Sequence, residues 1–213
     1  DADSQLGRKK LGVVGEKIVY ELRGTPCLDL ESFIPRKNIM SSKSFGMLIE
    51  DLSMIEEALA NYVARACEKM RQQRGRAQGI CIFLKTNIFR KNDPQYHNSA
   101  TVGFDYAVCD TGLIIKHSKQ LLRSIYKKGY KYKKCGIILL NIQTGDHQQQ
   151  HLFSVYNTES SDVRMRVLDS INHKIGSNKV FFGAQGVHKK WAMQCNKRSP
   201  HYTTNKDDFL KVY

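Results

Sequence analysis

No stretch of this chain approaches the ~20 consecutive apolar residues needed to cross a bilayer, and no basic-then-apolar leader is present. Membrane association and secretion are therefore not expected, and the reading is of a soluble, cytoplasmic protein. The six cysteines, Cys27, Cys67, Cys81, Cys109, Cys135 and Cys195, are scattered without a C-x-x-C pair. That spacing excludes the usual zinc sites. Thiols set in apolar runs behave as small hydrophobes, so reduced, buried cysteines are expected. Acidic clusters on candidate strands are missing as well, which leaves a two-metal phosphoryl-transfer site without ligands. Asp207-Asp208 falls in a terminal tail, and Asp51 precedes a helix. A Walker loop, a G-x-S-x-G elbow, a plausible Cys/His pair and internal repeats are all absent. His147 and His151 stand four apart, but nothing beside them completes a metal site. No catalytic residue and no cofactor is expected in this chain.

Acids are scarce beside bases: 20 Asp and Glu against 34 Lys and Arg, a net charge of +14 over 213 residues. Such an excess suits a polyanion, because Lys and Arg that displace condensed counterions gain affinity through ion release. A merely solvated basic surface is the plainer alternative. Membrane headgroups fit less well, since no basic amphipathic anchor stands out.

Periodicity divides the chain into elements. Leu11, Val14, Ile18, Val19 and Leu22 recur at helical spacing, and Gly24 then Pro26 stop that helix. Alone it cannot bury its apolar face, so partners upstream are expected. Residues 36–46 suit a strand ended by Gly46, with hydroxyls and bases on its exposed face. Ser53-x-x-Glu56 matches a capping box, and Ile55, Leu59, Tyr62, Val63, Ala66 and Met70 form one stripe behind it, predicting a helix over 54–73. Residues 79–87 and 99–108 read as strands, separated by a turn at Asn92-Asp93-Pro94. Asp110 or Thr111 can cap a second helix that Gly129 would end, and 136–142 is a fourth strand. The order β-α-β-β-α-β predicts an α+β fold: a four-stranded sheet with two helices on one face and the other face open. A polar linker follows over 144–162, then a small C-terminal element with a helix over 163–174, an apolar patch at Val180-Phe181-Phe182 and a basic tail with Trp191.

Three groups of residues could carry binding. Lys37, Ser42, Lys43 and Ser44 on or beside the first strand, with Lys85, Thr86 and Arg90 at the end of the second, offer the groups that hold phosphate oxygens; lysines at strand edges that merely prevent edge pairing are the alternative. Lys116, Lys119, Arg123, Lys127, Lys128, Lys131, Lys133 and Lys134 form a run without an acid. For Lys116 and Lys119 a solvated helix face is the preferred reading, and Lys131 to Lys134 stay open. Leu152-Phe153, behind Gln149-Gln150, are large apolar residues in a polar linker; they either dock in a partner's groove or pin the linker to its own domain.

Several of these segments resemble bacterial Y-family translesion DNA polymerases of the UmuC type. Residues 13–28 (VVGEKIVYELRGTPCL) are similar to the end of the thumb, and Ser41-Ser42-Lys43-Ser44-Phe45-Gly46 resembles the S-R-S-F-G strand that opens the little finger, with Lys43 where Arg is usual. Ala64-Arg65-Ala66-x-Glu68-Lys69, Phe83-x-Lys85-Thr86 and Asn98-Ser99-Ala100 follow in the family's order. Phe182-x-Ala184-Gln185-Gly186, Trp191 and Ser199-Pro200-x-Tyr202-Thr203-Thr204 resemble the UmuC-type C-terminal extension. The resemblance implies an end of thumb at 1–31, a little finger at 32–143, a linker at 144–162 and the extension at 163–213. It implies a grip on primer–template duplex through Arg36, Lys37, Ser42, Lys43, Ser44, Lys85, Thr86 and Arg90. It also implies a sliding-clamp motif at Gln149, Leu152 and Phe153, with Gln150 replacing the usual Leu. A UmuD-type regulatory subunit and RecA would be partners in the SOS response. The palm and fingers, with their Mg-binding carboxylates, would lie upstream. An RRM-like RNA-binding module and a protein-interaction scaffold are the rival readings; against the first, Phe83 sits in an apolar run between Ile82 and Leu84.

Overall fold

The computed structural model describes residues 3–27, 35–144, 158–194 and 199–209. Two compact units make up the chain, Asp1–Pro35 and Arg36–Tyr213. The first contains α1 (Ser4–Leu22), capped by the Asp3 carboxylate on the Gln5 N–H. It starts earlier than the apolar spacing predicts, and Gly12, at φ 70°, breaks it into two segments. Leu11, Val14 and Leu22 are exposed on it.

The second unit is the expected α+β sandwich. Its elements run β1 (Ile39–Ile49), α2 (Leu52–Gln72), β2 (Gly75–Thr86), β3 (His97–Val108), α3 (Thr111–Ile125), β4 (Tyr132–Leu140), β5 (Gln143–Thr144) and α4 (Thr158–Ile175). The main sheet has the order β1-β4-β2-β3, with every neighbour antiparallel, and the short β5 pairs with the start of β2. Each of α2 and α3 links two strands that have a third lying between them. Ile80, Ile82 and Leu84 of β2 and Cys135, Ile137 and Leu139 of β4 meet Ile55, Leu59 and Val63 of α2 and Ile114 and Leu122 of α3 in one core. Both helices thus cover one face, and among the described residues of this unit no helix covers the other. Cys67, Cys109 and Cys135 are buried, while Cys27 and Cys81 are half-buried; Cys195 lies outside the described residues. Among the described residues no helix is long and apolar enough to cross a membrane.

Four local readings differ from the structure. Gly46 does not end the first strand, which runs on to Ile49. A Cβ at this position would stand 2.5 Å from the Ala192 carbonyl oxygen, and the Gly46 N–H donates to Trp191 O at 2.9 Å. The glycine is a landing place for the C-terminal element. The capping box does not form. Asp51 caps α2 instead, accepting from the Ser53 N–H (3.0 Å) and hydroxyl (2.6 Å), and Glu56 turns inward to α3. There it meets Arg123 at 2.7 Å and Lys119 at 3.4 Å, so the basic run does have an acid, supplied by another helix. Gly129, at φ 91°, sits in the turn after α3, which has already ended at Ile125. Finally, α4 begins at Thr158 and not at 163.

The C-terminal element lies along α2. Arg71 forms a two-pronged pair with Asp169 of α4 (2.7 and 2.8 Å) and also donates to Thr111 Oγ1 and Cys109 O. Arg76 pairs with Asp162, and Ser161 donates to Asp110. Further on, Trp191 packs edge-on against Tyr62 at 5.7 Å and donates its indole N–H to Glu57 at 2.7 Å.

Burial raises the pKa of Glu56, but the Arg123 hydrogen bond and the Lys119 and Arg123 charges outweigh it and leave the carboxyl below its ordinary value. A group depressed in the folded state adds stability that is present above its unfolded pKa and lost as pH falls through the folded one. Glu56→Gln is therefore expected to lower the urea midpoint at neutral pH. Its deficit against the wild type should shrink as the pH falls through the carboxylate range, measured by circular dichroism.

Candidate nucleic-acid interface

Side chains on a strand alternate between faces, and antiparallel partners share a face, so the register determines what the open face carries. Three rows cross it. Met40, Ile138, Cys81 and Thr101 form the first; Ser42, Gly136, Phe83 and Ser99 the second; Ser44, Lys134, Lys85 and His97 the third. The face therefore has an apolar middle, hydroxyls at both edges and a cationic row at one end. Lys85 Nζ stands 5.8 Å from the centre of the Phe83 ring, near enough for a cation–π contact.

Of the residues expected to bind, Ser42, Ser44 and Lys85 come together here. Lys43 does not. It is paired with Cys135, which is fully buried under the helices, so its parity places it on the helix side of the edge strand, where it is exposed. Thr86 also points inward, 6% exposed, with its hydroxyl donating to Gln95 Oε1 (2.8 Å) and accepting from the Tyr96 N–H (3.0 Å). Arg90 is exposed in the β2–β3 hairpin, 3.6 Å from Asp93. Arg36 and Lys37 precede β1 at the far end of the sheet, with backbone bonds to Gln73 and Ile142; at ~3.3 Å per residue they lie about 25 Å along the chain from the cationic row. The expected clamp residues Gln149, Leu152 and Phe153 lie outside the described residues.

Lys134, His97, Ser99, Thr101 and Phe83 were not singled out for this surface from the sequence. The alternation Cys135-in, Gly136-out, Ile137-in would have placed Lys134 outward, had the register been known. The basic run to which Lys134 belongs otherwise scatters. Lys119 and Arg123 are held by Glu56, Lys127 lies 5.2 Å over the Tyr96 ring, and Lys133 donates to Phe45 O at 2.7 Å.

Phe83 lies across the neighbouring strand because Gly136 gives it room. A Cβ at 136 would fall 2.7 Å from Phe83 Cζ, and closer still to Ser42 Cβ, well inside the ~3.5–4.0 Å of a good carbon contact.

A family model described as the impB/mucB/samB family C-terminal domain matches residues 36–152, the span that holds the whole sheet. The chain belongs to the impB/mucB/samB family. A second model, for a domain of unknown function, matches residues 165–212. Among relatives of the family, protein UmuC of Salmonella typhimurium is 38% identical over 207 residues, covering 96% of this chain and 49% of the relative. Protein MucB of Escherichia coli is 38% identical over 206 residues, 96% and 48% of the two chains. The chain thus spans about half the length of the curated relatives it matches. Among solved structures, DinB from Sulfolobus solfataricus has a TM-score of 0.42 at 15% identity, over 68% of this chain and 40% of its own. A Y-family DNA polymerase chimera has a TM-score of 0.43 at 15% identity, over 67% and 39%. Likenesses this slight add nothing to the topology already described.

Gly136→Ala is expected to destabilise the chain by about 1–3 kcal/mol through overpacking against Phe83 and Ser42. Ser42→Gly in the same chain should recover part of that loss, because it removes one of the two clashes. A double-mutant cycle by urea denaturation measures the coupling.

Proposed function

We propose that this chain is the non-catalytic, DNA-gripping half of an SOS-response translesion DNA polymerase of the UmuC type. It would hold primer–template duplex on the open sheet face and dock on the sliding clamp through Gln149, Leu152 and Phe153. The observation that carries this reading is the row Ser44–Lys134–Lys85–His97 on the sheet face opposite α2 and α3. Two lysines side by side with hydroxyls around them suit phosphate oxygens and read no bases, as a protein tracking a copied duplex requires. Nucleotide transfer, with its Mg-binding carboxylates, is assigned to the part of the polymerase upstream. A UmuD-type subunit and RecA are the further partners that the family likeness suggests.

One observation favours a second reading. Phe83 faces the open side of a central strand, although its apolar neighbours suggested burial, and an aromatic there is what an RNA-binding sheet uses to stack bases. Single-stranded RNA therefore belongs in the test as a competitor.

If about five phosphates are neutralised, log K for a primer–template duplex should fall against log salt with a slope of roughly −4 to −5, and Lys85→Ala with Lys134→Ala should flatten it by about 2. A flat response in the wild type, tighter binding of single-stranded RNA, or nucleotide incorporation by this chain with Mg²⁺ would each count against the reading.

Leu152→Ala with Phe153→Ala is expected to abolish clamp pull-down and leave duplex binding unchanged. Undiminished pull-down would remove the docking role.

A further inference from the structure

The hairpin that continues β2 beyond Lys85 ends in two apolar residues with no folding role. Phe89 is 86% exposed, more than any other Phe, Tyr or Trp described, and Ile88 beside it is 71% exposed. A flexible loop could hide such residues part of the time, but this one is held in place. The Gln95 side-chain amide donates to the carbonyls of Asn87 (3.2 Å), Arg90 (2.9 Å) and Asp93 (2.9 Å), and its oxygen accepts from Thr86. The Asn87 side chain accepts from the Phe89 N–H at 3.2 Å, and the Arg90 N–H closes a turn on Asn87 O. A fixed backbone displaying an unburied ring is preorganised for contact with something outside the chain.

The charge around the ring narrows what that partner is. Lys85, a member of the cationic row, lies four residues before Phe89, and Arg90 and Lys91 follow it directly. The nearest acid in the hairpin, Asp93, meets Arg90 at 3.6 Å and leaves the tip net positive. An aromatic ring between cations suits a partner that is both polyanionic and aromatic. In the interior of a duplex each base already has both faces covered, so away from a duplex end a protein ring finds a free face only on an unpaired base.

We propose that Phe89 is a base-stacking residue, receiving an unpaired nucleobase from the single strand that adjoins the duplex held on the sheet. This deepens the proposed function and rests on it. The ring would mark where paired template gives way to unpaired template, and Arg90 and Lys91 would hold the flanking phosphates.

Fluorescence anisotropy of the full chain with three DNAs tests the proposal: a blunt duplex, the same duplex with a short single-stranded overhang, and that overhang with abasic sites. Phe89→Ala, at an exposed loop position, should weaken binding to the normal overhang by about 5-fold or more, in keeping with alanine losses at stacked bases. Binding to the blunt and abasic DNAs should not change. Phe89→Trp should retain affinity and show tryptophan quenching with the normal overhang only; the resident Trp191 is 5% exposed and gives a constant background. Equal affinity of Phe89→Ala and wild type for the normal overhang would overturn the proposal. So would an equal loss on the blunt duplex, which would mean a wedge between paired bases or a cap on the duplex end. If Lys85→Ala with Lys134→Ala still weakens the blunt duplex while Phe89→Ala does nothing, stacking fails and the sheet grip stands. If neither has any effect, the grip itself has failed.

Discussion

The two-residue alternation along the regularly paired stretches of the strands, combined with a core on one side of the sheet only, governs the rest of this molecule. Once Ile80, Ile82 and Leu84 face the helices, Cys81, Phe83 and Lys85 must face away. The antiparallel register then carries the choice across to β4 and β1 and brings Lys134 beside Lys85 and Gly136 beneath Phe83. Two lysines in adjacent register repel each other, which a free-standing sheet would avoid. Keeping them together makes sense where a shared anion relieves the repulsion, so the placement carries more information than the number of lysines.

A second set of contacts ties the C-terminal element to the back of the same sheet. Arg71 is nearly enclosed, and burying a guanidinium is unfavourable unless its donors are met. Asp169, Thr111 and Cys109 meet them. Burial lowers the pKa of this guanidinium, but the hydrogen bond and charge of Asp169 more than compensate, so the charge is retained. At the other end, Trp191 closes over Tyr62, whose hydroxyl is buried and has no hydrogen-bond partner among the described residues. Polar pairs therefore orient α4, while the edge-on contact with Tyr62, the indole N–H donated to Glu57 and the backbone bond from Gly46 hold the Trp191 end.

Element order and the open face were legible in the sequence because both rest on local periodicity: the stripe from Ile55 to Met70 and the apolar run from Ile80 to Leu84 need no knowledge of distant residues. Membership of the binding face was legible only in part. Ser42, Ser44 and Lys85 lie where the alternation of their own strands puts them, and the same alternation puts Lys43 on the opposite face; that Lys134 stands beside Lys85 follows from the β2–β4 register, which no local pattern reveals. Glu56 and Gly46 misled for a related reason. Each fits a local rule, a cap and a strand end, yet each is claimed by a distant partner, Arg123 in one case and Ala192 in the other.

Arg76 joins these observations. Its backbone pairs with Gln143 of β5 in the ladder, and its guanidinium meets Asp162 of α4, so residues on both sides of segment 145–157 meet one residue of β2. Under the proposed function that segment carries the clamp motif. A motif joined at both ends to a domain that grips DNA would raise the effective concentration of each partner for the other, provided the geometry lets both engage. Under that function two modest affinities would add into a durable hold, and Gln150 in place of the usual Leu would cost the complex as a whole little. Salt would act unequally on the two grips: counterion release makes the lysine row sensitive to it, whereas the apolar anchors of the motif would hardly respond. As salt rises, the clamp contact would come to carry the larger share of the attachment.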